Sequence, residues 1–115
     1  LTESDIMKMI DDSNNSAEID MTLRRLKESI VEGKRVIYAL EQALQNDGKD
    51  LLSEEEIAMV NSELEGLKLS ITGEDSSVIE EKIKQVEKKS EFYVERRMNS
   101  SIKSFIAGKG IDDIL

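Results

Sequence analysis

Ile19-Asp20-Met21-Thr22-Leu23-Arg24-Arg25-Leu26-Lys27-Glu28-Ser29-Ile30-Val31-Glu32-Gly33-Lys34-Arg35-Val36-Ile37-Tyr38-Ala39-Leu40-Glu41-Gln42-Ala43-Leu44 is the stretch that decides the fold. Ile19, Leu23, Leu26, Ile30, Gly33, Ile37, Leu40 and Leu44 follow alternating steps of four and three, with Gly33 the single non-apolar member. That rhythm puts all of them on one face of an α-helix. Two later segments keep it: Ile57, Val60, Leu64, Leu67 and Ile71, then Ile79, Ile83, Val86, Ser90 and Tyr93. The third lapses once, at Ser90. Three striped helices joined by short turns predict an all-α, antiparallel helical bundle.

Working outward, the breaks are marked by glycine and small polar residues. Asn46-Asp47-Gly48-Lys49-Asp50 and Thr72-Gly73-Glu74-Asp75 read as turns, and Gly108-Lys109-Gly110 as a C-cap and the start of a tail. Ser53 with Glu56 forms a capping-box pattern, with Leu52 and Ile57 placed to staple across it. Thr2 with Asp5 repeats the device, flanked by Leu1 and Ile6. The third start offers Asp75, Ser76 and Ser77 as candidate N-caps. Met98-Asn99-Ser100-Ser101 is a weak helical stretch where the last helix could bend or restart.

The helices are unequal. The long pattern from Asn15 to Asn46 measures about 48 Å, whereas Glu54 to Ile71 measures only about 27 Å. So short an antiparallel partner covers only the C-terminal half of the long helix. Upstream, Leu1 to Asp12 reads as a short amphipathic helix carrying Ile6, Met9 and Ile10, and 11–16 is expected to separate or bend the junction. The organisation expected is an arm over residues 1–34, a distal bundle over 35–107 and a tail over 108–115. Ile6, Met9, Ile10, Ile19, Leu23, Leu26 and Ile30 then form an apolar face that needs cover from elsewhere, whether another domain, a partner or a second copy.

Composition mainly excludes chemistry. The 115 residues contain no Pro, Cys, His or Trp, and 16 basic against 25 acidic residues leave a net charge of −9. Without Cys or His there is no disulfide framework, thiol nucleophile, Ser–His triad or His-based zinc site. The acidic balance argues against a nucleic-acid partner, which needs clustered Lys and Arg. No apolar run approaches a membrane span. Glu54-Glu55-Glu56 suits a helix N-terminus, where carboxylates oppose the dipole. Taking Gly48 as the sixth position of a calcium loop puts Ala43 and Gln45 at the first and third, so that reading fails. Gly108-Lys109-Gly110 lacks the spacing of a phosphate loop. Phe92, Tyr93 and Phe105 are read as one core or capping cluster. No catalytic set and no metal site emerges, and a start at Leu1 suggests a piece of a longer protein.

Specific residues carry a resemblance. Leu1-Thr2-Glu3-Ser4-Asp5-Ile6-Met7-Lys8-Met9-Ile10-Asp11-Asp12-Ser13, followed by Ala17-Glu18-Ile19-Asp20, resembles the start of the C-terminal lid in seventy-kilodalton heat-shock chaperones of the DnaK/HscA type. Leu51-Leu52-Ser53-Glu54-Glu55-Glu56 and Gly73-Glu74-Asp75 also sit where that family has them, so the likeness covers the whole chain. Arg96-Arg97-Met98, Ser101, Gly108 and the ending Gly110-Ile111-Asp112-Asp113-Ile114-Leu115 look like the HscA branch, which serves iron–sulfur cluster assembly.

The resemblance implies a non-catalytic lid that closes over a client-holding β-sandwich, with its arm as the docking surface. It implies a parent ATPase using ATP/ADP with magnesium in a separate domain and a J-domain co-chaperone. The client would be the iron–sulfur scaffold and the location the bacterial cytoplasm. It also implies that Asp20 matches an acidic position that latches the lid to a basic group on the sandwich. Lys34 and Tyr38 fall at two further latch positions that are acidic and His in DnaK; the charge at Lys34 is reversed. The other readings are a general DnaK-type lid, a stand-alone helical interaction module and a carboxylate-only metal bundle. The isolated arm is expected to self-associate.

Overall fold

Thr2 and Ser53 start two of the helices as their spacing predicts. Each side-chain oxygen accepts from the backbone N–H three residues on, and Asp5 and Glu56 reach back to the cap N–H. The computed structural model describes residues 2–109, the side chains of 10–14 and 109 excepted. Among these the elements are α1 (Glu3–Ala43), a π-helical turn (Leu44–Gly48), α2 (Lys49–Leu51), α3 (Glu54–Ser70) and α4 (Ser76–Lys109). No strand occurs among the described residues. At α4 the ambiguity between three caps resolves to Asp75, whose Oδ1 accepts from the N–H groups of Ser77 and Val78.

Cross-helix contacts give the topology. Gly33 lies against Ile71, and Glu41 pairs with Lys68 at 2.5 Å, so α3 runs antiparallel to α1. Glu63 faces Lys89 and Glu56 faces Arg96, so α4 runs antiparallel to α3. Arg25 with Glu80, then Asp47 with Arg97, shows α4 rising parallel to α1. The core between the three is Val36, Ile37, Leu40, Ala43, Leu52, Val60, Leu64, Leu67, Ile79, Ile83, Val86 and Tyr93, all from the three stripes except Val36, Ala43 and Leu52. Leu67, Ile79 and Tyr93 are fully buried. Leu52 is buried with Ile57 packed against the same core, as a staple requires.

The two non-apolar stripe positions have separate reasons. A Cβ at Gly33 would come within 2.8 Å of Ile71 Cγ2, so glycine is what lets α1 and the end of α3 touch. Ser90 is buried, and its hydroxyl donates to the Val86 carbonyl at 2.7 Å, which satisfies it within its own helix.

Four expectations need correction. Residues 46–50 do not form the turn. Gly48 stays helical at φ −55°, ψ −45°, and the chain leaves the helix at Leu52, with φ −123° and ψ 145°. Asp47 is held from across the bundle by Tyr93 and Arg97, and the chain makes a π turn there instead of breaking. Met98-Asn99-Ser100-Ser101 does not restart α4, which is continuous; with no proline, mild propensity losses are not enough to interrupt it. Likewise 11–16 does not separate a short helix from a long one, because α1 runs unbroken from Glu3. Finally, Phe105 does not join Phe92 and Tyr93. Tyr93 is buried and Phe92 packs on the core, whereas Phe105 is 59% exposed, beyond the bundle's end.

Candidate functional site

α1 is longer than anything that packs on it, and this creates the candidate surface. The bundle reaches up α1 as far as Leu26 and Ile30, which pack against the core, and Arg25, which is paired with Glu80. Nearer the N-terminus, Ile6, Met9, Ile19 and Leu23 are 46%, 63%, 58% and 49% exposed. Four large apolar side chains therefore project from a single helix whose bundle lies further along. The molecule measures 84 × 34 × 17 Å, a rod extended by this arm. Ile10 belongs to the same expected face, but its side chain lies outside the described residues, as does the ending 110–115.

The helix periodicity orders these residues around α1. At about 100° per residue, Ile6, Met9, Leu23, Lys34 and Tyr38 all fall within about 60° of the line through Asp20. Ser29, Val36 and Leu40, which are buried in the bundle, fall about 160–180° away on the opposite side. Asp20, Lys34 and Tyr38 are all exposed, Tyr38 by 68%. One outer face thus carries the three latch candidates together with Ile6, Met9 and Leu23. Ile19 stands to one side of it, and Leu26 and Ile30 turn towards the bundle. A flat partner laid on α1 would meet that outer face without displacing the bundle.

The opposite end of the bundle is fastened by polar groups whose pairing across the bundle the sequence does not reveal. Tyr93 donates its hydroxyl to Asp47, and Arg97 Nε donates to the other carboxylate oxygen at 2.8 Å. Burial pushes the Asp47 carboxyl up, but these two hydrogen bonds outweigh it and hold the group below its ordinary value. The Tyr93 phenol is driven well above its usual range by burial and by the Asp47 carboxylate. Arg96 forks onto Glu56 at 2.8 and 2.9 Å, donates to the Leu51 carbonyl and lies over the Phe92 ring. The Arg96 hydrogen bonds, helped by the Ser53 N–H, lower the Glu56 carboxyl to about 2. The capping-box spacing signals Glu56; its pairing with an arginine 40 positions away has no local signature.

No group of three or more His, Cys, Asp or Glu among the described residues is placed to hold a metal ion. No described helix is long and apolar enough to cross a membrane.

The family described as Hsp70 protein matches residues 1–99. The chain belongs to the Hsp70 family. Among its relatives, the chaperone protein HscA of Photorhabdus laumondii is 40% identical over 114 residues. The chaperone protein HscA homologues of Aliivibrio fischeri and Ralstonia pickettii are 40% and 38% identical over the same length. Each match covers 99% of this chain but 18% of the relative, so the chain spans under a fifth of the HscA proteins it resembles. This is an Hsp70-family, HscA-like chaperone fragment, all-α throughout its described residues.

Proposed function

We propose that the chain is the C-terminal lid of an HscA-like chaperone, closing over the client groove and slowing client release during iron–sulfur cluster assembly. The observation that carries this reading is the outer face of α1, where Ile6, Met9 and Leu23 stand exposed beside Asp20 on a helix that the bundle leaves bare. In this reading the face lies on the chaperone's own β-sandwich, Asp20 pairs with a basic group there, and Lys34 and Tyr38 take the remaining latch positions. Apolar burial supplies most of the docking energy, because an exposed latch pair contributes less than about 1 kcal/mol. The bundle stiffens the far half of α1, so that closure is a movement of one rigid lever.

The parent protein carries the ATPase, with ATP or ADP and magnesium, in a domain separate from this one. It works with a J-domain co-chaperone in the bacterial cytoplasm, and its client is the iron–sulfur scaffold, held through a short apolar segment. The lid itself performs no chemistry; it acts by sterics and kinetics. The test is the release rate of an apolar client peptide from the ADP-bound full-length chaperone, with and without these 115 residues. Deletion accelerates release while leaving the peptide able to bind. Unchanged release would end the reading.

A further inference from the structure

The charges on α1 are sorted by face. At about 100° per residue, Arg24, Lys27, Val31, Lys34 and Tyr38 all lie within about 40° of the line through Asp20, and all are exposed. They follow Asp20 at steps of four, three, four, three and four. The acids of α1 between Asp20 and Tyr38 are Glu28 and Glu32, which fall about 80° and 120° from that line. The cations further round the helix are neutralised, Arg25 by Glu80 and Arg35 by Glu32, each at 2.5 Å. Among the described residues Arg24, Lys27 and Lys34 enter no ion pair. A chain of net charge −9 thus gathers these cations into a strip about 15 Å long on its outer face. Val31 and Tyr38, 67% and 68% exposed, stand among them.

We propose that this strip closes on acidic side chains of the chaperone's own β-sandwich, next to the basic group that meets Asp20, so that the lid contact changes sign along α1. This rests on the lid reading and supplies the chemistry of the surface that faces the lid. Three observations choose the occupant. The strip shares the outer face with Met9 and Leu23, so whatever covers the arm reaches it without displacing the bundle. Most of the length of the HscA relatives lies outside this chain and is there to cover it. Asp20 at the head of the strip, and the acidic excess of the whole chain, repel a nucleic acid or an anionic membrane. Val31 and Tyr38 instead suit a protein surface that mixes carboxylates with apolar side chains. The order of acid then base also fixes the register, because sliding α1 by one turn sets Asp20 where Arg24 belongs, against an acidic group.

Carbodiimide cross-linking joins an amine to a carboxylate in contact with it and adds no spacer, so it reads the partner directly. In the ADP-bound full-length chaperone, peptide mapping finds Lys27 and Lys34 joined to Asp or Glu of the β-sandwich. Lys27→Glu and Lys34→Glu each speed release of an apolar client peptide about two- to fivefold, and added salt narrows the difference from wild type. Both positions are exposed, so helical circular dichroism and melting stay at the wild-type values. Cross-links that are absent, or that run only to the client, the co-chaperone or a second copy, overturn the proposal. Reversals that leave release unchanged, or slow it, also overturn it. If deleting the 115 residues still speeds release in that case, the lid reading stands and the acidic contact alone is lost. A deletion without effect removes both.

Discussion

Tyr93 and Asp47, 46 positions apart in sequence, are joined hydroxyl to carboxylate at the point where α1 gives way to its π turn. The bond links the buried ring of α4 to the connection between α1 and α3, with Arg97 completing the carboxylate's partners. A hydrogen bond to a charged acceptor contributes about 1.5–3 kcal/mol, and a buried aromatic truncated to Ala costs about 3–5 kcal/mol. Tyr93→Phe should therefore lower the unfolding free energy obtained from urea titration by an amount near the first figure, with m unchanged, and Tyr93→Ala by an amount near the second. No loss in Tyr93→Phe beside a large one in Tyr93→Ala would show that the ring, and not the hydroxyl, does the fastening.

Glycine has opposite consequences at two helical sites. At Gly33 an added methyl meets Ile71 Cγ2 at 2.8 Å, and at Gly66 it meets nothing within 4 Å. Replacing a helical Gly by Ala gains about 1 kcal/mol of propensity, while overpacking costs about 1–3 kcal/mol. Gly66→Ala should raise the melting temperature and Gly33→Ala should lower it, as read by thermal unfolding of the two variants side by side.

The acid limb of stability should carry the mark of Glu56. Its carboxyl titrates near 2 in the folded chain, held down first by Arg96 and then by the Ser53 N–H, against an ordinary 4.5. A depressed folded value means the stabilisation is fully present above pH 4.5 and is lost as pH falls from there towards 2. Glu56→Gln should be less stable than wild type at neutral pH, with the difference closing progressively over that window. Melting curves for both proteins from pH 7 to pH 2.5 check this, and a gap that stays constant throughout would refute it.

These sites also show which parts of the fold were legible in the sequence. The stripes, both capping boxes and the mismatch between α1 and α3 are local patterns, and they survive because apolar periodicity and caps act within one or two turns. Asn, Asp and Gly at 46–50 signal a break locally, whereas Asp47 is held by Tyr93 and Arg97 from another helix and the chain turns later. Phe105 stands apart from Phe92 and Tyr93 for a similar reason: sequence proximity does not reveal where the bundle stops. The outer face of α1 was half legible. Its apolar members were visible, but whether Leu26 and Ile30 belonged to the arm or to the core depended on where α4 begins beside them.

The bare part of α1 should separate stability from docking. Residues 15–24 are exposed along their whole length, with no bundle helix over them, and Ile19 and Leu23 contribute little to the core. Exposed substitutions away from special features usually change stability by less than about 0.5 kcal/mol, whereas emptying a fully buried leucine site costs about 2–5 kcal/mol. Leu23→Ser should therefore melt with the wild type, and Leu64→Ala, which opens the core, should not. Amide exchange gives the independent check: opening a helix without tertiary cover costs little, so amides of 15–24 should exchange orders of magnitude faster than those of 60–67. Under the proposed lid function the order should reverse for the arm in the full-length chaperone. If α1 lies on the β-sandwich in the ADP state, protection should appear at 15–24 there and Leu23→Ser should speed client release. Equal exchange of the arm in the fragment and the full-length protein would leave this face with no docking role.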